Sequence, residues 1–304
     1  MVNYDRKPRR ILKSNGLESE IACFIDLDNK EGNIDWKTVD SFGKEWDKFN
    51  EFLLDEIALI GNEYFDIMQK HISKELVALD VGCGNGRWSK YLADKVKFIE
   101  AVDPSNSVFA ANKLLSDNSN VRVTKASVES LPFADESFDF VFSLGVLHHI
   151  PDTEQAMKSS VKKLKKEGFF LVYLYYNLDN RGVFYKFIFF LSNIIRKIVS
   201  SMPSMIKMIF ADFFAIAIYF PLISLASFFK FIFPKSNFYK KIPLSYYINK
   251  SYKVVRNDAL DRFGTPLEQR YSKEQIRKMM TNCGLEDIKF SNRTPYWHAI
   301  GKKI

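Results

Sequence analysis

The chain is short of cysteine and histidine, and over one long stretch it is short of acids. Its three cysteines, Cys23, Cys83 and Cys283, are odd in number and widely spread, and no C-x-x-C pair occurs. That excludes a disulfide framework or a zinc site and suits a reducing cytoplasm. Four histidines, with no cluster at metal-ligand spacing, predict chemistry without a metal. The opening MVNYDRKPRRILKSNG is basic but has no apolar core of the kind a signal peptide needs, so no export is expected. A bilayer-spanning helix needs about 20 apolar residues. The uncharged run Phe213–Phe229 offers 17 and contains Pro221, which is expected to break it. From Arg181 to Lys241 there are nine Lys or Arg but one acid, Asp212, so the whole formal excess of +8 lies there. The same stretch holds 13 of the 28 phenylalanines.

What is present reads as a globular α/β protein, 47% hydrophobic and 26% charged. Short apolar runs alternate with amphipathic stretches. Strands are predicted at 75–81, 97–103, 121–127, 138–144 and 168–176. Helices are predicted at GRWSKYLADKV, SNSVFAANKLLSD and TEQAMKSSVKKLKK. This alternation implies parallel β-α-β units. The rhythm stops near Asn177 and resumes at SKEQIRKMMTNCGLEDIKFSN, a helix, a glycine turn and a strand, before a last strand YWHAIGKKI. The predicted fold is a Rossmann-like, doubly wound, mostly parallel seven-stranded sheet with a helical insertion between strands 5 and 6. Residues 1–70 read as an N-terminal helical cap, 71–178 as the ligand-binding core, 179–256 as a hydrophobic, basic helical insertion, and 257–304 as the end of the core sheet.

The stretch ALDVGCGNGRW places three glycines in five positions where a strand hands over to a helix. Glycine there lets backbone approach a ligand closely. The spacing differs from that of a dinucleotide loop, no P-loop Lys-Ser/Thr pair follows, and Asp80 would repel a pyrophosphate. An acid fits a cationic ligand instead. Asp103 ends the next strand, 19 residues beyond Gly84, where a carboxylate accepts from a ribose diol. A nucleoside with a positively charged, phosphate-free tail satisfies both acids, and S-adenosylmethionine is such a molecule.

VALDVGCGNGRWSKYLA, VDPS, ASVESLPFADESFDFVFSLGVLHHIPD and LKKEGFFLV together resemble the class I S-adenosylmethionine-dependent methyltransferases of the methyltransferase-type-11 group. The likeness covers roughly residues 75–175 and, more loosely, 270–304. It implies that Asp80 and the backbone of Gly82, Cys83 and Gly84 hold the methionine moiety, that Asp103 holds the ribose, and that Ser127 and Val128 hold adenine. The family usually has Asp where Ser127 stands. Leu144 would face the methionine portion through its backbone. KTVDSFGKEW and DRFGTPLEQRYSKEQI look like segments of methyltransferases of bacterial surface-polysaccharide biosynthesis, which would bring Phe42, Trp46 and Arg270 to the cofactor or acceptor.

Transfer to a hydroxyl needs a base, and His is the usual one near neutral pH. His148 and His149 in GVLHHIPD follow the fourth strand, on the sheet edge where ligands bind. His148 is favoured as the base and His149 is second; the pair could equally pack or cap the next helix. Tyr175, Tyr176 and Asn177 end the fifth strand on that edge and are candidates for acceptor contacts. His71 and His298 read as structural. The expected reaction is methyl transfer to a hydroxyl of a small or lipid-linked acceptor, a sugar foremost. The alternatives are C- or N-transfer to a quinone, lipid or other small metabolite, or a membrane-associated scaffold that binds the cofactor without turnover. The insertion is expected to act as a lid and, through 183–240, to meet an anionic membrane surface at its cytoplasmic face. Long aliphatic runs between its basic residues argue against nucleic acid.

Overall fold

The computed structural model describes residues 2–13, 20–26, 32–48, 54–179 and 182–304; the side chains of 44–48, 184 and 204 fall outside the description. In chain order the elements are β1 (Arg10–Lys13), β2 (Glu20–Cys23), α1 (Trp36–Lys48), α2 (Leu54–Tyr64), β3 (Val77–Val81), α3 (Arg87–Ala93), β4 (Phe98–Asp103), α4 (Ser107–Leu114), β5 (Val121–Lys125), β6 (Phe138–Leu144), α5 (Thr153–Lys162) and β7 (Leu164–Tyr173). Then come α6 (Val183–Val199), α7 (Ser204–Phe214), α8 (Phe220–Ile232), α9 (Tyr252–Gly264), α10 (Lys273–Asn282), β8 (Leu285–Phe290) and β9 (His298–Lys303). They form two compact units, Met1–Asp179 with Leu267–Ile304, and Asn180–Pro266.

The first unit is built on one sheet in the order β1-β2-β5-β4-β3-β6-β7-β9-β8. Strands β5, β4, β3, β6 and β7 run parallel, and β9 returns antiparallel between β7 and β8. The order reverses between β3, β4 and β6, and in an open sheet a ligand sits at such a point, outside the strands' carboxyl ends. Helices cover both faces, so the central strands are buried on both sides and mostly apolar. In β6, Phe140 and Phe142 pack with Leu171, Trp88 and Phe65 on one face, while Val141 joins Phe170, Val172, Met157 and Ile276 on the other. Burying each such side chain contributes about 1.5–3 kcal/mol. Caps fix the flanking helices: Asp152 accepts from the Gln155 amide at 2.9 Å to start α5. Ser272 and Gln275 bond reciprocally to start α10.

Three features differ from the sequence reading. The sheet has nine strands, because β1 and β2 add an antiparallel pair beside β5, so 1–70 is not only a helical cap. Each is four residues long, and β1 is mostly exposed, which leaves little alternation to detect. Strand β7 begins at Leu164, four residues before the expected start, where Lys165 bonds Asp139 at 2.8 Å instead of continuing the helix. The helical insertion ends at Pro266 instead of 256.

That last difference follows from what α9 binds. Within the second unit, Phe263 stacks on Phe214 at 4.3 Å, and Arg256 pairs with Asp212. Arg196 donates to the carbonyls of Thr265 and Pro266, and Lys207 donates to that of Gly264 at 2.9 Å. Helix α9 therefore belongs with α6 and α7. Pro221 does not break the apolar run. The helix passes from α7 to α8 through one π-helical turn, Ala215–Tyr219, directly before it. A widened turn accommodates a residue that has no N–H and whose ring crowds the preceding carbonyls.

Candidate active site

Between β3 and α3 the backbone turns through three left-handed glycines, Gly82 (φ +81°), Gly84 (+55°) and Gly86 (+85°). At two of them space is as restrictive as φ. A Cβ on Gly82 would lie 2.4 Å from Val146, and one on Gly86 would lie 2.8 Å from Leu115 and 3.2 Å from the Ala111 backbone. The loop thus abuts the turn that leaves β6. Its amides are already committed: Gly82 and Cys83 donate to the Val102 carbonyl at 2.7 and 2.9 Å. Gly84 donates to Asp103 Oδ2 at 3.0 Å, and Gly86 to the Cys83 carbonyl at 2.9 Å. A phosphate-binding loop works by presenting free N–H groups. Here those four N–H groups are bonded within the protein.

Asp80, 1% exposed, accepts from Ser89 Oγ at 2.7 Å through Oδ2, while Oδ1 has no partner among the described residues. Burial pushes its carboxyl up to about 7; the Ser89 bond pulls it down and the Asp103 charge pushes it up further. An ammonium at Oδ1 would relieve that cost. Asp103 ends β4 and accepts from Ser105 N and Oγ at 2.8 and 2.6 Å in addition to Gly84, so its position is fixed from two sides. Carboxylate oxygens carry about four acceptor sites in all, which leaves capacity for a diol. S-adenosylmethionine fits this pair. Cys83 is buried and its thiol is pushed well above its ordinary value by burial, so it is a packing residue. Ser127 Oγ shares a hydrogen bond with Ser130 Oγ at 2.9 Å, and Val128 is buried at the start of a short 3-10 turn. Leu144 is buried at the end of β6, where Gly145 (φ +78°) redirects the chain.

His148 and His149 lie in the short 3-10 turn that follows. His148 is fully buried, both ring nitrogens lack partners among the described residues, and burial holds it well below 6.5, hence neutral. Its ring is 4.0 Å from those of His149 and Tyr175. His149 differs: its Nδ1 lies 2.6 Å from the Leu267 carbonyl. A carbonyl only accepts, so Nδ1 carries a proton, and in the neutral ring Nε2, buried and without a partner among the described residues, carries the lone pair. Phe42 of α1 packs edge-on to His149 at 5.0 Å.

The segment from Leu267 to Tyr271 returns to hold this turn. Gln269 N donates to the His148 carbonyl at 3.0 Å, and Tyr271 N donates to that of Tyr175 at 2.9 Å. Arg270 sits over the Tyr175 ring at 5.0 Å, bonds Glu268 at 2.8 Å, and donates to the Tyr176 carbonyl at 3.2 Å. Burial opposes its charge, but the Glu268 carboxylate more than offsets this and raises it. The structure therefore groups His148, His149, Tyr175, Arg270 and Phe42. Asn177 is exposed, with its amide spent on the Tyr271 carbonyl. The side chain of Trp46, on α1, lies outside the described residues. Glu268 was missed by sequence reasoning, as was the carbonyl of Leu267; both lie in TPLEQRY, and no composition signal marks a backbone acceptor. His298 is fully buried between Asp66 Oδ1 and the Pro295 carbonyl, both at 2.8 Å, a positional role. Among the described residues no group of three potential metal ligands occurs.

Comparison with known proteins bears on the same region. A family model described as a methyltransferase domain matches residues 79–172. The chain is 35% identical over 147 residues to a tRNA U34 carboxymethyltransferase of Campylobacter concisus, covering 45% of this chain and 50% of that protein. It is 35% identical over 101 residues to phosphoethanolamine N-methyltransferase 2 of Caenorhabditis elegans, covering 32% of this chain and 23% of that protein. The chain thus spans half or less of these relatives' lengths. Among solved structures, a SAM-dependent methyltransferase from Thermotoga maritima aligns with 89% of this chain and 100% of that one, at 18% identity and a TM-score of 0.46. The matched residues, 79–172, are those that carry Asp80, the glycine loop, Asp103 and the two adjacent histidines, and over this segment the chain is similar to methyltransferase domains.

Proposed function

We propose that the protein transfers a methyl group from S-adenosylmethionine to a hydroxyl of a small or lipid-linked acceptor, a sugar foremost. The observation that carries this reading is His149, whose Nδ1 is fixed on the Leu267 carbonyl and whose Nε2 is buried and has no partner among the described residues. When bound, the cofactor supplies a methyl already activated by a sulfonium. Asp80 would hold its amino group and Asp103 its ribose hydroxyls. Ser127 and Val128 lie where adenine is expected, and Leu144 borders the methionine portion.

The chain's own task is to align the acceptor, exclude water and take a proton. His149 Nε2 receives the hydroxyl proton, and the bond from Nδ1 to Leu267 supports the imidazolium that results. His148, neutral and packed between the tilted rings of His149 and Tyr175, holds the His149 ring in place and excludes water. This reverses the order expected from sequence, because one histidine has a fixed tautomer and the other does not. Tyr175 and Arg270 orient the acceptor, with Asn177 at its outer side.

A second reading, transfer to nitrogen, is favoured by the likeness to a protein named phosphoethanolamine N-methyltransferase 2. A nucleic-acid acceptor is favoured by the likeness to proteins named tRNA U34 carboxymethyltransferase, which covers more of both chains than the phosphoethanolamine likeness does; against it, the bases of 181–241 are separated by aliphatic runs. The test is methyl-labelled cofactor with glycolipid extract, free sugars, amines or tRNA as acceptors. Labelled sugar is expected. His149→Ala should lose about 10²–10⁴-fold in turnover at unchanged cofactor affinity. Full turnover in His149→Ala, or label in amine or tRNA alone, overturns hydroxyl transfer.

A further inference from the structure

The second unit presents apolar surface that nothing within it covers. Along α6 the exposed positions Val183, Phe187, Phe190, Ile194 and Ile198 advance by three or four residues, one continuous stripe. Along α7 and α8 a second stripe runs through Met205, Ile209, Phe213, Ile216, Phe220 and Phe228, unbroken by the π-helical turn. Phe231, at its end, is 85% exposed. Exposed apolar faces of this length mark an interaction surface.

Charge identifies the partner. Of the bases in 181–241, Arg196 and Lys207 are buried and spent on carbonyls. Lys186, Lys197, Lys235, Lys240 and Lys241 are exposed. The one acid, Asp212, is paired with Arg256. The outward charge of this segment is therefore positive, around aliphatic and phenylalanine stripes. We infer that the unit docks on an anionic phospholipid bilayer, with these stripes in the headgroup–acyl boundary and the lysines on the phosphates.

The helix Met205–Ile232 is long and apolar enough to cross a membrane, yet its inward side bears on α9. That helix brings Arg256 to Asp212, and the Gly264 carbonyl, just past its charged stretch, to Lys207. Spanning would carry those groups and the rest of YKVVRNDALDRFG into hydrocarbon, a cost that lying in the interface avoids. The inference does not depend on which acceptor is methylated.

The test is flotation of the full chain with phosphatidylcholine vesicles, with and without phosphatidylglycerol. The wild type floats with anionic vesicles, and high salt releases it. Phe190→Ser combined with Phe213→Ser and Phe228→Ser stays in the soluble fraction while binding S-adenosylhomocysteine as the wild type does. Lys235→Glu, Lys240→Glu and Lys241→Glu together weaken flotation at least tenfold, from about 1 kcal/mol per surface cation. Wild type that remains soluble beside anionic vesicles, or that instead buries the stripes in a lipid-insensitive dimer by sedimentation, overturns the proposal.

Discussion

Phenylalanine has opposite uses in the two units. In the first, Phe65, Phe133, Phe138, Phe140, Phe142 and Phe170 are fully buried. In the second, Phe187, Phe190, Phe213, Phe220, Phe228 and Phe231 are exposed. Of 26 exposed large apolar side chains among the described residues, 22 belong to the second unit, although it is much the shorter. A sheet covered on both faces satisfies its own apolar surface. Helices arranged around one polar-paired helix leave much of theirs exposed.

This contrast can be broken or sharpened by experiment. The largest expected effect is on stability. Phe142→Ala should cost about 3–5 kcal/mol in urea unfolding, because it leaves a cavity between Phe65 and Phe140. Phe190→Ala should stay within about 0.5 kcal/mol. Equal costs would mean that the exposed stripe is packed. Glycines give a second, smaller contrast. Gly82→Ala combines a left-handed φ with a 2.4 Å clash and should cost about 3 kcal/mol, whereas Gly182, with nothing within 4 Å, should accept alanine almost without change. Thermal unfolding of both variants is the check. Next comes the site: Asp103→Ala should weaken cofactor affinity about 100-fold by calorimetry, from lost hydrogen bonds to a charged acceptor. The triple phenylalanine variant of the second unit should leave that affinity unchanged.

Much of the first unit was legible because its strands are continuous apolar runs and its ligand loop is a dense glycine pattern. Asp80 and Asp103 are visible as acids at strand ends, and two strand-end acids are a local signal. The strands β1 and β2 were not legible, since four residues each carry too little periodicity. Nor was the choice between His148 and His149. Adjacent identical residues differ only in what reaches them from Leu267, 118 residues away from His149. The end of the helical unit was hidden for the same reason: α9 reads as polar, and its partners Asp212 and Phe214 lie over 40 residues earlier. Pro221 misled because a widened turn can accommodate it, a backbone adjustment that composition does not announce.

Asp80 is a buried carboxylate whose Oδ1 has no partner among the described residues, and the pH dependence of cofactor binding reports whether a cation is held there. With the free carboxyl raised to about 7, cation binding favours the ionised form, so affinity is full above that value and falls as pH drops below it. Calorimetric titration with S-adenosylmethionine should give a Kd about tenfold weaker at pH 6 than at pH 8 for the wild type. Asp80→Asn should bind more weakly and with no such slope. Equal wild-type affinity at both pH values, or a slope that survives in Asp80→Asn, would contradict the account.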